Sequence, residues 1–250
     1  MKLAGMSIGA LLLAAPLAAQ DRPDLEGFWG SDFSPEQAPT DLIAKLPPGT
    51  VVIEDTGVAE FPRGEFGGLT LTPEAAANAA TWDAQQEMTL DRVCLPPSII
   101  YSLQGPFPFE IDQTDDVIVF RYEYFDKIRL VWMDGREHPG PDYPNTKMGF
   151  STGHWDDGEL VVDTTHIAAS TITNNGLDHS DRIVMQERYR LSDDGQKLLA
   201  TQWFADASVI EEPGARFISW TRREGEHIYP YECDPTFALE YQDVVDKPEQ

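Results

Sequence analysis

A series of strand-like segments separated by short turn sequences is the feature that most constrains the fold of this chain. From residue 106 onward, runs rich in β-branched and aromatic residues are separated by clusters of Asp, Gly and Ser. The runs are FPFEIDQT, VIVFRYEYF, KIRLVWM, STGHW, ELVVDTTHI, RIVMQERYRL, KLLATQWFA and RFISWTRR. Runs bounded in this way are typical of β-hairpins, and the short connections predict antiparallel neighbours. Strands of this number and length predict an all-β domain, either a sandwich or a closed barrel.

The segment before these strands predicts one helix and one long loop. The stretch LTPEAAANAATWDAQQEM has Thr72 as an N-cap, Pro73 at the first helical position and Glu74 in the first turn. Residues 34–70 are rich in Pro and Gly, so we expect a long ordered loop or lid there. The sequence has no internal repeat and no domain linker, so residues 21–250 are expected to form one domain.

The first twenty residues have the pattern of a secretory signal peptide. Lys2 is followed by the apolar stretch IGALLLAAPLAA, and charge begins at Asp21. This apolar run is shorter than the ~20 residues that a spanning helix needs, and its small residues before Asp21 suit a cleavage site. We therefore expect residues 1–20 to be removed, with the mature protein periplasmic or secreted and not inserted in a membrane.

The charge of the chain excludes some classes of partner. The formal net charge is −25, from 43 acidic and 18 basic residues. Nucleic acids and anionic membranes attract cationic surfaces, so neither is an expected partner. A solvated acidic surface accounts for the charge, which therefore says nothing about a substrate.

Cys94 and Cys233 are the two cysteines of the chain. In an exported protein such a pair predicts one structural disulfide. No second Cys or His lies at a chelating spacing around either residue, so a metal site is not indicated. A catalytic thiol is the remaining alternative, and it needs an activating base. We favour the disulfide. Closing such a long loop would stabilise the folded state by roughly 4–5 kcal/mol at most.

The start and the end of the mature chain carry a short motif that favours a barrel over a sandwich. Gly27 and Trp29 form a Gly-x-Trp at the first strand, and Arg222 or Arg223 in SWTRR supplies an arginine on the last strand. This combination resembles the lipocalin signature, in which the tryptophan closes the barrel floor and the arginine packs across it. The resemblance implies an antiparallel, lipocalin-like (calycin) β-barrel of about eight strands.

A second resemblance covers nearly the whole mature chain. Seven segments carry it in order, namely PDLEGFW, LTPEA, CLPP, PFEIDQT, GHWDDGELVVDTT, HSDRIVMQERY and YEC. They resemble a family of secreted bacterial proteins with a lipocalin-like barrel, whose usual opening reads Pro-Asp-Leu-x-Gly-x-Trp. The resemblance implies export, a barrel and a disulfide, and it implies no particular reaction.

Alternation within the strands predicts which side chains face the barrel interior. One predicted inner set is Ile118, Phe120, Tyr122 and Tyr124, and another is Ile183, Met185, Glu187, Tyr189 and Leu191. The aromatic side chains that we expect to contact a ligand are Phe120, Tyr122, Tyr124, Trp132 and Tyr189. These predictions place an apolar or aromatic small molecule inside the barrel, since eight strands enclose enough space for one such ligand.

Glu187 is a carboxylate in an otherwise apolar and aromatic inner set. A buried carboxyl group either has a charged or hydrogen-bonding partner or has a raised pKa, which suits a general acid or base. We therefore consider two roles for Glu187, a catalytic one and a structural one. In ELVVDTTHI both faces are half apolar, so periodicity leaves open whether Asp163 or His166 points inward. Either would serve as the second proton-transfer group.

The absence of other motifs narrows the function to two classes. None of the five histidines forms a chelating His-x-His or His-x-x-x-His pair, so no metal is expected. No nucleophile elbow, phosphate loop or dinucleotide motif is present, so no cofactor is expected. We favour a cofactor-independent lyase, isomerase or dehydratase acting on an apolar or aromatic molecule. The alternative is a non-catalytic periplasmic protein that binds such a ligand. The sequence leaves the oligomeric state undetermined.

Overall fold

The computed structural model describes residues 22–32, 38–54 and 61–240. The predicted signal peptide, residues 1–20, lies outside the described residues. Within the described ranges, no helix combines the length and apolar character that crossing a bilayer requires.

The described part of the chain is mostly β-structure with a few short helices. The strands are β1 (Gly27–Ser31), β2 (Val51–Val52), β3 (Phe109–Gln113), β4 (Val117–Tyr122), β5 (Lys127–Trp132), β6 (Phe150–Asp156), β7 (Glu159–Thr165), β8 (Ser170–Thr173), β9 (Leu177–His179), β10 (Val184–Leu191), β11 (Lys197–Ala205) and β12 (Gly214–Arg222). The helices are α1 (Thr40–Ala44), α2 (Pro73–Ala80), α3 (Ala84–Glu87) and α4 (Ile99–Ser102). A single 3-10 turn, Tyr124–Asp126, joins β4 to β5.

Nine of these strands close into a barrel. Its order is β1-β3-β4-β5-β6-β7-β10-β11-β12, and β12 pairs with β1 to complete the ring. Strand β2 adds to β12 in parallel, and β8 and β9 form a separate two-stranded sheet. The barrel predicted from the sequence is therefore present, and it has nine strands where about eight were expected.

One strand pair departs from the predicted antiparallel order. Strands β5 and β6 run parallel, and their register joins Val131 to Ser151 and Trp132 to Thr152. Residues 133–149 connect these two strands, and a connection of this length returns the chain to the starting end of the barrel, as a parallel pair requires. The neighbours joined by short turns pair antiparallel, as predicted.

The N-terminal half contains several short elements instead of one helix and a loop. Thr72 is the N-cap of α2, and its side chain accepts a hydrogen bond from the N–H of Ala75. The helix ends at Ala80, and α3 follows as a separate turn. The predicted loop 34–70 contains α1 and β2 within its described part. The pairing of β2 with β12 depends on long-range contacts, which the Pro- and Gly-rich composition of this segment does not predict.

Trp29 closes the end of the barrel where β1 begins and β12 ends. Its side chain is fully buried, and its indole N–H donates to the carbonyl of Leu25 at 2.9 Å. The guanidinium of Arg222 lies 4.4 Å from the centroid of the Trp29 ring. Arg223 instead lies beside Glu226, 3.6 Å away, so Arg222 is the arginine that packs on the tryptophan. Gly27 has φ of +125°, where an added Cβ would come 3.2 Å from Arg222.

Helix α4 covers the opposite end of the barrel. Its residues Ile99 and Ile100 are fully buried and belong to the hydrophobic core. Two inward-facing side chains hold its backbone, because Gln202 donates to the carbonyl of Ile99 and Arg216 to that of Ile100, both at 3.3 Å. The barrel interior is therefore covered at one end by Trp29 and at the other by α4.

The predicted disulfide between Cys94 and Cys233 is confirmed. The bond joins residues that are 139 positions apart, and neither cysteine is free. It fastens the C-terminal segment 223–240 to the segment that leads into α4. Backbone N–H groups of the C-terminal segment also donate to the carboxylates of Glu123 and Asp126, at 3.0 and 3.1 Å. A disulfide is compatible with an extracellular location.

Candidate functional site

Glu187 lies inside the barrel and is paired with Arg129. The side chains of Arg129 and Glu187 are 1% and 0% exposed. Arg129 Nη1 donates to Glu187 Oε1 at 3.0 Å, and Nη2 donates to Oε2, so the contact is bidentate. The hydroxyl of Tyr189 also donates to Oε1, at 2.7 Å. Glu187 therefore has the charged partner that the structural interpretation requires.

Two further N–H groups of Arg129 also have partners. Its Nε donates to Ser151 Oγ at 3.0 Å, and its Nη2 donates to Thr164 Oγ1 at 2.8 Å. Burial by itself lowers the pKa of Arg129, but the carboxylate of Glu187 raises that pKa above its usual value. Burial, together with the negative charge of Glu187, raises the pKa of Tyr189 well above its usual value. The arginine is thus held charged and the phenol neutral, which suits a fixed ion pair better than proton transfer.

The aromatic side chains of the barrel interior pack against one another. Phe120 lies 5.5 Å from Tyr189 and 6.2 Å from Tyr122, measured between ring centroids. Phe109 and Trp220 complete the group, 5.1 Å apart. Phe120, Tyr122 and Tyr189 were predicted to face inward, and their burial confirms this, since each is at most 2% exposed. Their mutual packing makes them part of the core.

Two of the predicted ligand contacts lie outside the barrel interior, and this corrects the sequence-based prediction. Strand β4 ends at Tyr122, so Tyr124 falls in the following 3-10 turn and no longer follows the alternation of the strand. In β5 the buried side chains are Lys127, Arg129 and Val131, so Trp132 is on the outer face. There the guanidinium of Arg136 lies 3.7 Å from the centroid of the Trp132 ring.

Asp163 and His166 are also outside the barrel interior. Asp163 is on the outer face of β7 and accepts a hydrogen bond from Gln186 Nε2 at 2.8 Å. Strand β7 ends at Thr165, and His166 has φ of +56°, which turns its side chain away from the inward direction that simple alternation predicts. Neither residue lies beside Glu187, so the three predicted catalytic residues do not form one site.

His166 belongs to a chain of hydrogen bonds on the outer face. Its Nε2 is 3.1 Å from the carbonyl oxygen of Gly140, which only accepts, so Nε2 carries the proton. Its Nδ1 lies 2.8 Å from Thr165 Oγ1. The same hydroxyl lies 2.9 Å from Nδ1 of His138. These contacts hold the 133–149 connection against β7, and burial lowers the pKa of His138.

The candidate site is a groove on the outer side of α4, with a volume of about 910 Å³. We call it the α4 groove. One wall is aromatic, and its residues are Phe107, Tyr124, Phe125 and Tyr231. A second wall is formed by Arg92, Val93, Leu95, Pro96 and Pro97 together with Cys233, and a third by Lys147, Ser170 and His179. The disulfide between Cys94 and Cys233 therefore links the two segments that form the second wall.

The rings of the aromatic wall are in direct contact. Phe107 and Tyr124 are stacked with centroids 4.5 Å apart, and Tyr231 meets both edge-on at 5.4 Å. Phe125 lies 4.5 Å from Tyr231. Aromatic surface of this kind binds planar apolar groups by stacking and by burial of their surface.

Two groups with altered pKa values lie at or next to the groove: His179 lines it, and Lys127 donates to the carbonyl of Pro97, which lines it. Burial lowers the pKa of His179, whose Nδ1 donates to the carbonyl of Ser180 at 2.8 Å and whose Nε2 accepts from Ser98 Oγ at 2.7 Å. Lys127 is 8% exposed, and burial together with the charge of Lys147 lowers its pKa to about 7. Perturbed groups beside a cleft are typical of functional sites.

No family model, curated protein or solved structure matches this chain.

The described residues contain no group of three or more His, Cys, Asp and Glu side chains able to hold a metal ion. Besides its aromatic rings, the α4 groove is lined by charged and titratable side chains, namely Glu87, Arg92, Lys147, Asp178, His179, Glu232 and Asp234.

Sequence reasoning missed Lys127, although a signal for it was present. In KIRLVWM, Lys127, Arg129 and Val131 alternate on one face, so two cations share a face with an apolar residue. The reasoning that selected Glu187 would have selected both. The pairing of Arg129 with Glu187 and of Lys127 with α4 depends on contacts between distant segments, which alternation does not provide.

Proposed function

We propose that this protein binds an apolar or aromatic small molecule in the α4 groove, outside the barrel. The observation that carries the proposal is the aromatic wall of Phe107, Tyr124, Phe125 and Tyr231 along a groove of about 910 Å³. Ligand sites are concave and combine apolar surface with polar groups that orient the ligand, and this groove pairs its aromatic wall with charged and polar side chains. The fixed ion pair and the packed rings inside the barrel favour the groove over the interior.

Titration with 2-naphthalenemethanol, a neutral aromatic probe, tests the proposal. We expect saturable binding by calorimetry and about a tenfold loss of affinity in Tyr231→Ala, because a ring contact together with its buried area is worth roughly 1.4 kcal/mol. Tyr143→Ala is the matched control, since Tyr143 packs on Phe150 and His166 and does not line the groove. Absence of saturable binding, or equal losses in both variants, would refute the proposal.

A second candidate function is cofactor-independent acid–base catalysis in the same groove, by a lyase, isomerase or dehydratase. The pKa of Lys127, lowered to about 7, favours it, because a group that titrates near neutral pH exchanges protons most effectively there. Once a substrate is known, Lys127→Met should retain ligand binding and lose turnover. Retained turnover in a folded Lys127→Met protein would contradict catalysis by this amine.

Export and a lipocalin-like identity are parts of the same proposal. The disulfide supports export, because such bonds persist in oxidising compartments. Trp29 on the first strand beneath Arg222 on the last supports the lipocalin-like identity. The ninth strand and the parallel β5–β6 pair are additions to a simple eight-stranded barrel. Mass spectrometry of the secreted protein tests export, and we expect the mature chain to begin near Asp21.

A further inference from the structure

We propose that Lys127 is a reactive amine that captures the carbonyl group of an aromatic aldehyde or ketone bound in the α4 groove, forming an imine. The inference rests on the proposed function, since it assigns a chemical class to the ligand of the same groove. It is carried by the surroundings of the amine, by its position behind the aromatic wall and by a strained turn that covers it.

The hydrogen-bond partners of Lys127 match an uncharged amine. Nζ donates to the carbonyl of Pro97 and to Ser102 Oγ, the latter at 2.7 Å. These are its two acceptors among the described residues, and a neutral amine has two N–H bonds. The nitrogen lone pair is then free for attack on an electrophile. In the ammonium form, a third N–H would face only the rings of Tyr124 and Phe125.

Electrostatics around Lys127 also favour the neutral form. None of the ion pairs among the described residues involves Lys127, so no carboxylate compensates a positive charge there. Burial and the nearby charge of Lys147 lower its pKa to about 7. The rings of Tyr124 and Phe125 are 5.4 and 5.5 Å from Nζ, close to the ~6 Å limit for cation–π attraction, so they stabilise the ammonium only weakly.

The amine lies directly behind the wall of the groove. The carbonyl of Pro97 accepts from Nζ, the ring centroids of Tyr124 and Phe125 are 5.4 and 5.5 Å from it, and all three residues line the α4 groove. A flat ring placed against the aromatic wall would therefore bring a substituent close to Nζ. A carbonyl group is the substituent that a neutral amine attacks, and lysines activated by burial and by a neighbouring cation are known to do so.

The turn that covers the amine is strained. Phe125 and Asp126 are consecutive non-glycine residues with φ of +58° and +50°. Residues with a Cβ are strained in such conformations, which are concentrated at functional sites. The Phe125 ring lines the α4 groove with its centroid 5.5 Å from Nζ, so rearrangement of this turn is the movement that we propose gives a ligand access to the amine.

The covalent step is balanced without a further reagent. The lone pair of Nζ attacks the carbonyl carbon, the C–O π bond breaks, and a proton moves from nitrogen to oxygen to give a carbinolamine. Loss of the hydroxyl group with the remaining N–H proton releases water and leaves a C=N bond. No oxidant or reductant takes part, and hydrolysis by water reverses the step.

Reductive trapping tests the proposal on the intact oxidised protein. The probe is 2-naphthaldehyde with sodium cyanoborohydride, and peptide mass spectrometry locates the adducts. Lys45 and Lys197, which do not line the groove, are internal controls in the same molecule. At pH 7 an ordinary lysine is neutral in roughly one part in 3,000, whereas a pKa of about 7 leaves half of Lys127 neutral. We expect Lys127 to be labelled at least ~10-fold faster than Lys45 and Lys197.

Two variants and a competitor sharpen the test. The rate at Lys127 should level off above pH 7, and Lys147→Met should move this plateau to higher pH because it removes the neighbouring charge. Phe125→Gly should speed labelling, since glycine relieves the positive φ and removes the covering ring. Excess 2-naphthalenemethanol should slow labelling of Lys127 and leave Lys45 unaffected.

The outcomes separate the two proposals. Saturable binding of 2-naphthalenemethanol without labelling of Lys127 in the folded protein overturns the imine and leaves the proposed function standing. A different outcome is that propionaldehyde labels Lys127 as fast as 2-naphthaldehyde does, with no slowing by 2-naphthalenemethanol. That result would show that the ligand is not an aromatic carbonyl compound and that the groove is not its binding site. Equal labelling of all lysines overturns the reactive amine.

Discussion

Replacing Glu187 by Gln should destabilise the protein strongly, because it leaves the buried guanidinium of Arg129 without a counter-charge. The substitution keeps the shape of the side chain but places an NH₂ group where one carboxylate oxygen accepts from Arg129 or Tyr189. Both charged side chains are at most 1% exposed, so water does not take over the lost contacts. Removing one member of a buried pair costs about 3–5 kcal/mol. A domain has ~5–15 kcal/mol in total, so this is a large fraction of its stability.

Urea unfolding at pH 7, followed by tryptophan fluorescence, measures the effect. Asp112→Asn is the control, since it breaks the exposed pair with Arg121 and should cost no more than ~1 kcal/mol. The double variant Arg129→Met with Glu187→Leu should be close to the wild type in stability, because apolar replacement removes both desolvation costs. An unfolding midpoint for Glu187→Gln that matches the control would refute the structural role and reopen the catalytic one.

Three further predictions concern the closed end, the disulfide and a buried histidine. Trp29→Ala should lower the free energy of unfolding by ~3–5 kcal/mol by removing the ring beneath Arg222, and unchanged thermal melting would contradict this. Replacing Cys94 and Cys233 by Ser should cost up to roughly 5 kcal/mol and weaken binding of 2-naphthalenemethanol, whereas unchanged binding would show that the walls hold without the bond. Because burial lowers the pKa of His179, the unfolded state binds its proton first as pH falls. Stability should therefore drop below pH ~6.5 and drop less in His179→Gln, measured as urea midpoints at pH 7.5 and 5.5. An equal drop in both proteins would contradict that reasoning.

Local patterns in the sequence predicted the local features of the fold. Turn residues between β-branched runs predicted the hairpins, because turn chemistry and strand propensity act over a few positions. Period-two alternation predicted that Met185, Glu187 and Tyr189 are buried, which the structure confirms. Thr72 was identified as an N-cap from its own neighbours. The pairing of Cys94 with Cys233 followed from counting, since an exported chain with two cysteines has one way to join them.

Only the tertiary structure showed which residues these side chains contact. Arg129 and Glu187 are 58 positions apart, and only closure of the barrel brings them into contact. Alternation also breaks down where a strand ends, so Tyr124 was placed on the wrong side, and it left open whether Asp163 or His166 points inward. The α4 groove combines the β4–β5 turn, the 92–97 segment and the C-terminal segment, which meet only after the chain has folded. A sequence pattern indicates which face of a strand a side chain occupies, whereas the residue that it contacts across the barrel depends on long-range packing. The sequence therefore determined the barrel, and the tertiary structure determined the candidate site.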